Sequence, residues 1–161
     1  MSGMGTIRRP HAKTRGFTLI ELLIVISIIL VILAIAVPKM NKQMQTAREV
    51  AVIREIGSIH LAETQYSSQF GKYAINLAQL GPPNGGADGP EAANILPKIL
   101  ADGKKNGYIY TLTGTPAGYS ISAVPEVFGS GGSRTFYSDQ TLVIRNNFGQ
   151  EPATATSPEI R

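Results

Sequence analysis

The 161-residue chain has no cysteine, no tryptophan and two histidines, His11 and His60, which excludes a disulfide framework and leaves zinc-cluster chemistry without ligands. Fifteen Lys and Arg against eleven Asp and Glu give a formal charge of +4, yet Arg8, Arg9, Lys13 and Arg15 all precede Gly16 with no acidic residue among them. Everything after Gly16 is therefore formally neutral, and no basic stripe with interleaved aromatics follows, so nucleic acid is not expected as the main partner.

Residues 1–16 read as a basic leader. From Phe17 to Val37 runs FTLIELLIVISIILVILAIAV, in which only Thr18, Glu21 and Ser27 are polar. As a helix it is roughly 31 Å long, close to the hydrocarbon thickness of a bilayer. Apolar residues occupy every helical face, as in a lipid-embedded or fully buried helix. Four basic residues stand ahead of the run, and Lys39 and Lys42 behind it, so the N-terminal side is expected in the cytoplasm and the C-terminal bulk across the membrane.

Glu21 is the anomaly of this segment. A signal anchor, a secretory signal cleaved at AIA (Ala34 to Ala36) and a soluble core helix all leave its carboxylate unexplained. If the chain is cut after Gly16, Phe17 becomes an N-terminus carrying an amine, with Glu21 one helical turn on, near the positive end of the helix dipole. The carboxylate then pairs with its own amine or with that of a neighbouring subunit. In a water-poor helix bundle, an out-of-register neighbour would leave the charge unpaired, so the pair would set axial register.

At R-G-F-T-L-I-E, Arg15 to Glu21, followed by the long apolar run, the sequence resembles the class III signal of type IV pilins and type II secretion pseudopilins. The close resemblance covers about Arg15 to Lys42. It implies a prepilin peptidase that cuts after Gly16 and methylates Phe17, and assembly through Glu21 into a helical filament. It also implies an inner-membrane platform and motor, and a location in the inner membrane followed by a surface pilus or a periplasmic pseudopilus. Pro38 matches a proline common in that family. Its missing N–H and its clash with the preceding turn predict a kink or a local melt.

Beyond Pro38, residues 39–73 carry Val52, Ile56, Ile59, Tyr66 and Phe70 near a 3.6 period, the amphipathic half of one long helix with a glycine stop at Gly71. A continuous helix from Phe17 to Phe70 would be about 80 Å long, so its apolar first half is expected to project from the folded part. Residues 74–107 form a connector around LGPPNGGADGP, with a short helix expected after an Asp88 cap and Pro90, and curtailed by Pro97. Residues 108–148 alternate with period two. YIYTLT and YSISAV around GTPAG make one hairpin, and RTFYS and TLVIRN around Asp139 and Gln140 make a second. Residues 149–161 read as a flexible tail. The expected fold is α+β and pilin-like, with one long N-terminal helix packed on a small antiparallel sheet.

Chemistry is sparse. No G-x-S-x-G and no phosphate loop occur, and His60 reads as a helix-surface or packing residue rather than a catalyst. No enzyme activity and no obligatory cofactor are expected. Asp88 and Asp139 are weak calcium candidates, since the resemblance implies a calcium loop in major pseudopilins, but solvated turn residues are the simpler reading. The expected function is a filament subunit. The alternative is a monomeric ligand-binding module, either membrane-anchored or cleaved at AIA and secreted with a mature chain that begins at Val37.

Overall fold

The computed structural model describes residues 16–115 and 117–160; the rest of the expected leader lies outside them. The architecture is α+β, with a helix α1 (Leu19–Phe70), two single-turn helices α2 (Leu77–Leu80) and α3 (Lys98–Ala101), and five strands. The strands are β1 (Lys104–Lys105), β2 (Tyr108–Thr115), β3 (Gly118–Pro125), β4 (Thr135–Asp139) and β5 (Arg145–Asn147). They form one antiparallel sheet in the order β1-β2-β3-β4-β5, so every strand pairs with its chain neighbour.

Two compact units are distinguished, residues 1–39 and 40–161. In the first, the helix is apolar on all sides and every side chain from Phe17 to Ile35 is exposed. Its one mid-helix hydroxyl is internally satisfied, because Ser27 Oγ donates to the Leu23 carbonyl at 2.7 Å. Helical structure passes through Pro38 without interruption, so the local melt expected there is not found.

In the second unit, α1 buries Glu49, Val52, Ile56, Ile59, His60, Ala62, Glu63 and Tyr66, a stripe at three- and four-residue spacing. The helix ends at the glycine stop anticipated from FGKY, with Gly71 at φ +70° and its N–H bonded to the Ser67 carbonyl at 2.9 Å. Against the stripe, the sheet contributes Tyr108, Tyr110 and Leu112 from β2, Tyr119, Ile121 and Ala123 from β3, and Phe136 from β4. The i, i+2 spacing within β2 and β3 puts each set on one sheet face. Leu77, Leu80, Leu96 and Leu100 close the core.

The connector departs from its reading. No helix follows Asp88 and Pro90; Gly89 and Ala92 instead exchange backbone hydrogen bonds across a tight turn. The single helical turns lie to either side, α2 capped by Asn76 Oδ1 accepting from the Gln79 N–H, and α3 starting directly after Pro97. Where the connector crosses the sheet, Gly114 meets Ala74, and a Cβ at 114 would collide with the Ala74 carbonyl oxygen. Residues 149–160, read from the sequence as a flexible tail, are held against β5. The Ile160 N–H bonds to the Ile144 carbonyl, the Asn146 N–H bonds to the Pro158 carbonyl, and Ala153 is buried.

Candidate assembly site

The N-terminal site begins with Gly16, Phe17 and Thr18 ahead of the helix, with α1 starting at Leu19. Thr18 and Glu21 bond reciprocally. The Glu21 N–H donates to Thr18 Oγ1 at 3.3 Å, and the Thr18 N–H donates to Glu21 Oε2 at 3.4 Å, the arrangement of a capping box. T-x-x-E, Thr18 to Glu21, is the sequence signal for this box, and it gives Glu21 a local role that the register argument alone missed. A carboxylate at the positive end of the helix is also favoured by the dipole.

Phe17 and Leu19 are 83% and 88% exposed, and all the large apolar residues from Ile20 to Val37 are exposed with them. A continuous patch of this extent is not tolerated in water, so lipid or other protein must cover it. Among the described residues, one helix is long and apolar enough to cross a membrane, and it is this one.

The other positions singled out from the sequence do not converge on chemistry. Asp88 is exposed in the connector. Asp139 Oδ1 accepts from the Thr141 N–H at 2.9 Å and from Thr141 Oγ1 at 2.6 Å, which closes a turn and holds its carboxyl below the usual range. Among the described residues, no group of three or more His, Asp and Glu side chains is placed to hold a metal ion. His60 is buried and hydrogen-bonded through both ring nitrogens, a packing residue.

Sequence reasoning missed the polar anchors beneath the sheet. Glu49, 5% exposed, accepts from the Ser133 N–H and hydroxyl through Oε1, at 2.8 and 2.7 Å, and from Arg134 Nε through Oε2 at 2.8 Å. It thereby fastens α1 to the loop before β4. Glu63 is fully buried, with Oε2 accepting from the Ala74 N–H at 3.0 Å and Oε1 unpartnered. Burial pushes its carboxyl up to about 7, against a smaller lowering by the Ala74 bond. Glu49, His60 and Glu63 share a face with Val52, Ile56, Ile59 and Tyr66, and polar residues in an apolar stripe are the signal that identifies them.

A membrane-length apolar helix continuing into one packed on an antiparallel sheet, with a G-F-T-L-I-E start, defines a pilin-like structural protein. A family model described as the prokaryotic N-terminal methylation motif matches residues 11–37. The chain is 30% identical over 110 residues to the type II secretion system core protein G of Escherichia coli (strain K12), covering 68% of this chain and 71% of that protein. It is 29% identical over 75 residues to the type IV major pilin protein PilA of Myxococcus xanthus (strain DK1622), covering 47% of this chain and 34% of that one. No solved structure gives a significant match. The chain belongs to the family of type IV pilins and type II secretion pseudopilins.

Proposed function

We propose that this chain is a filament subunit made as a precursor, held in the inner membrane by residues 22–37 with its C-terminal unit in the periplasm, and cut after Gly16 by a prepilin peptidase that methylates Phe17. The observation that carries the reading is the exposed, all-round apolar stretch of α1 up to Val37, whose only charge, Glu21, lies five residues beyond the cut. Lipid and a bundle of like helices are similarly apolar environments, so extraction by a platform and motor costs little when the subunit passes directly from one to the other. In the bundle, the amine of a neighbour's Phe17 takes the Glu21 carboxylate, replacing the long bond from Thr18 and setting register. Catalysis by this chain forms no part of the proposal. Between the two kinds of filament, the type II secretion pseudopilus is favoured, because the similarity extends over most of protein G and over only a third of the major pilin.

Mass spectrometry of N-terminal peptides from membrane and sheared-surface fractions tests this reading. A peptide starting at Phe17 with one added methyl group, confined to the membrane fraction and to periplasmic assemblies, is the expected result. The same peptide in sheared fibres would reassign the chain to a pilus. A start at Val37 would overturn the filament reading in favour of a secreted binding module.

A further inference from the structure

Both ring nitrogens of His60 are engaged, Nδ1 2.7 Å from the Tyr119 hydroxyl on β3 and Nε2 2.8 Å from Ser138 Oγ on β4. A third bond fixes their directions, since the Ser138 hydroxyl donates to the Val143 carbonyl at 2.9 Å in the segment leading to β5. A hydroxyl has one hydrogen, so Ser138, having given it to Val143, accepts from His60, and the imidazole proton resides on Nε2. Nδ1 of the neutral ring is then an acceptor, and Tyr119 donates to it. The chain runs one way, from Tyr119 O–H to His60 Nδ1, from Nε2–H to Ser138 Oγ, and from Oγ–H to the Val143 carbonyl. A second proton on the ring would point Nδ1–H at the Tyr119 O–H, and among the described residues that hydroxyl has no other acceptor.

We propose that this chain of hydrogen bonds is a proton-operated latch: neutral His60 clasps α1 to β3, β4 and the turn before β5, and a proton on Nδ1 opens the clasp. Each element packed around the ring contributes a group to the balance. From β3 comes Tyr119, whose ring meets that of Tyr73, from the segment after α1, at a 56° tilt with centroids 5.0 Å apart. From β4 comes Asp139, whose charge favours a protonated ring but whose Oδ1 is committed to Thr141. Along α1 itself lies Glu63, one turn on, which carries its proton through the acidic range. Burial outweighs the attraction of Asp139 and holds the His60 pKa below its ordinary value. The clasp therefore stays shut at neutral pH and opens on mild acidification, loosening the helix–sheet contact without removing any apolar side chain from the core. This proposal is independent of the filament reading, since it concerns only residues 60–143.

The test is a nitrogen–proton correlation spectrum of ¹⁵N-histidine in the full-length His11→Gln chain in detergent micelles, followed from neutral to acid pH alongside amide exchange. His60 is expected as the Nε2–H tautomer, titrating below an unperturbed histidine because burial disfavours the charged ring. Normalised amide exchange at positions 56–66 is expected to accelerate by about tenfold per pH unit once the pH is below that of an ordinary histidine. Tyr119→Phe removes the donor that opposes the second proton, so the His60 titration should move upward in that variant. Should that variant fail to fold, Ser138→Ala serves instead, with loss of the Nε2–H tautomer preference expected. An Nδ1–H tautomer in the parent chain would overturn the latch, as would a ring that titrates in the ordinary range with amide protection unchanged.

Discussion

Replacing Glu63 by Gln removes one ionisation from the core while keeping the shape of the side chain, and the consequence is a change in how stability responds to pH. In the native chain, burial raises this carboxyl from 4.5 to about 7. Between those values the folded state keeps the proton and the unfolded state has lost it, so stability present below about pH 4.5 declines as pH rises and levels off above about 7. At about 1.36 kcal/mol per unit, the interval of roughly two and a half units corresponds to about 3 kcal/mol. The substituted glutamine does not ionise; its carbonyl keeps the Ala74 N–H, and its amide nitrogen takes the place of the unpartnered Oε1 at a cost of about 1–3 kcal/mol that is the same at every pH. Subtracting the variant's stability from the native chain's cancels the opposite-signed contribution of His60 and leaves this constant as a pH-independent offset. The assay is urea unfolding of both full-length chains in the same detergent from about pH 4 to 9, followed by tyrosine fluorescence. The difference should fall by about 3 kcal/mol toward pH 7 and then remain flat; a difference independent of pH would refute the reasoning.

Three further outcomes follow from other contacts. Glu49→Ala should destabilise the globular unit by about 3 kcal/mol in thermal melts, because Arg134 Nε and the Ser133 N–H and hydroxyl lose their shared buried acceptor. Gly114→Ala should cost about 1–3 kcal/mol in the same assay, since its Cβ must displace the connector at Ala74. Glu21→Gln retains a capping-box partner for Thr18 but loses the charge, so electron microscopy and cell fractionation should show normal cleavage and methylation with assembly reduced at least tenfold. Normal assembly of that variant would leave helix capping as the role of this residue.

The elements with strong periodicity were legible in the sequence. The apolar run, the stripe through Val52, Ile56, Ile59 and Tyr66, and the first hairpin all follow from a period of 3.6 or 2, and Gly71 stops the helix where expected; the second hairpin forms with a longer turn, its return strand being Arg145–Asn147 rather than the whole of TLVIRN. Weaker local signals were not legible. A single helical turn such as Leu77–Leu80 contains too few residues to show a period, and β1 is two lysines recruited by pairing with Ile109 and Tyr108. The helix expected at Asp88 and Pro90 yielded to a glycine-rich turn, and the tail was misjudged because its polarity hid the backbone bonds that hold it. Within the candidate site, Gly16, Phe17 and Glu21 were legible as a motif. The partners of Glu49, His60 and Glu63 were not, because Ser133, Tyr119 and Ala74 are brought to them only by the fold.

The packed tail has a consequence for the filament role proposed above. A sheet ends in rows of unpaired N–H and C=O groups that invite a strand from another copy, and a crowded filament would multiply such encounters. Here one border of the sheet is only Lys104–Lys105, too short and too charged to template a strand, and the other, β5, is already occupied by its own chain at Asn146, Arg145 and Ile144. Both borders thus offer little for edge-to-edge strand pairing, while the apolar helix stays exposed. Residues 158–160 act as a selvedge on the sheet, which suits the proposed assembly through the apolar helix.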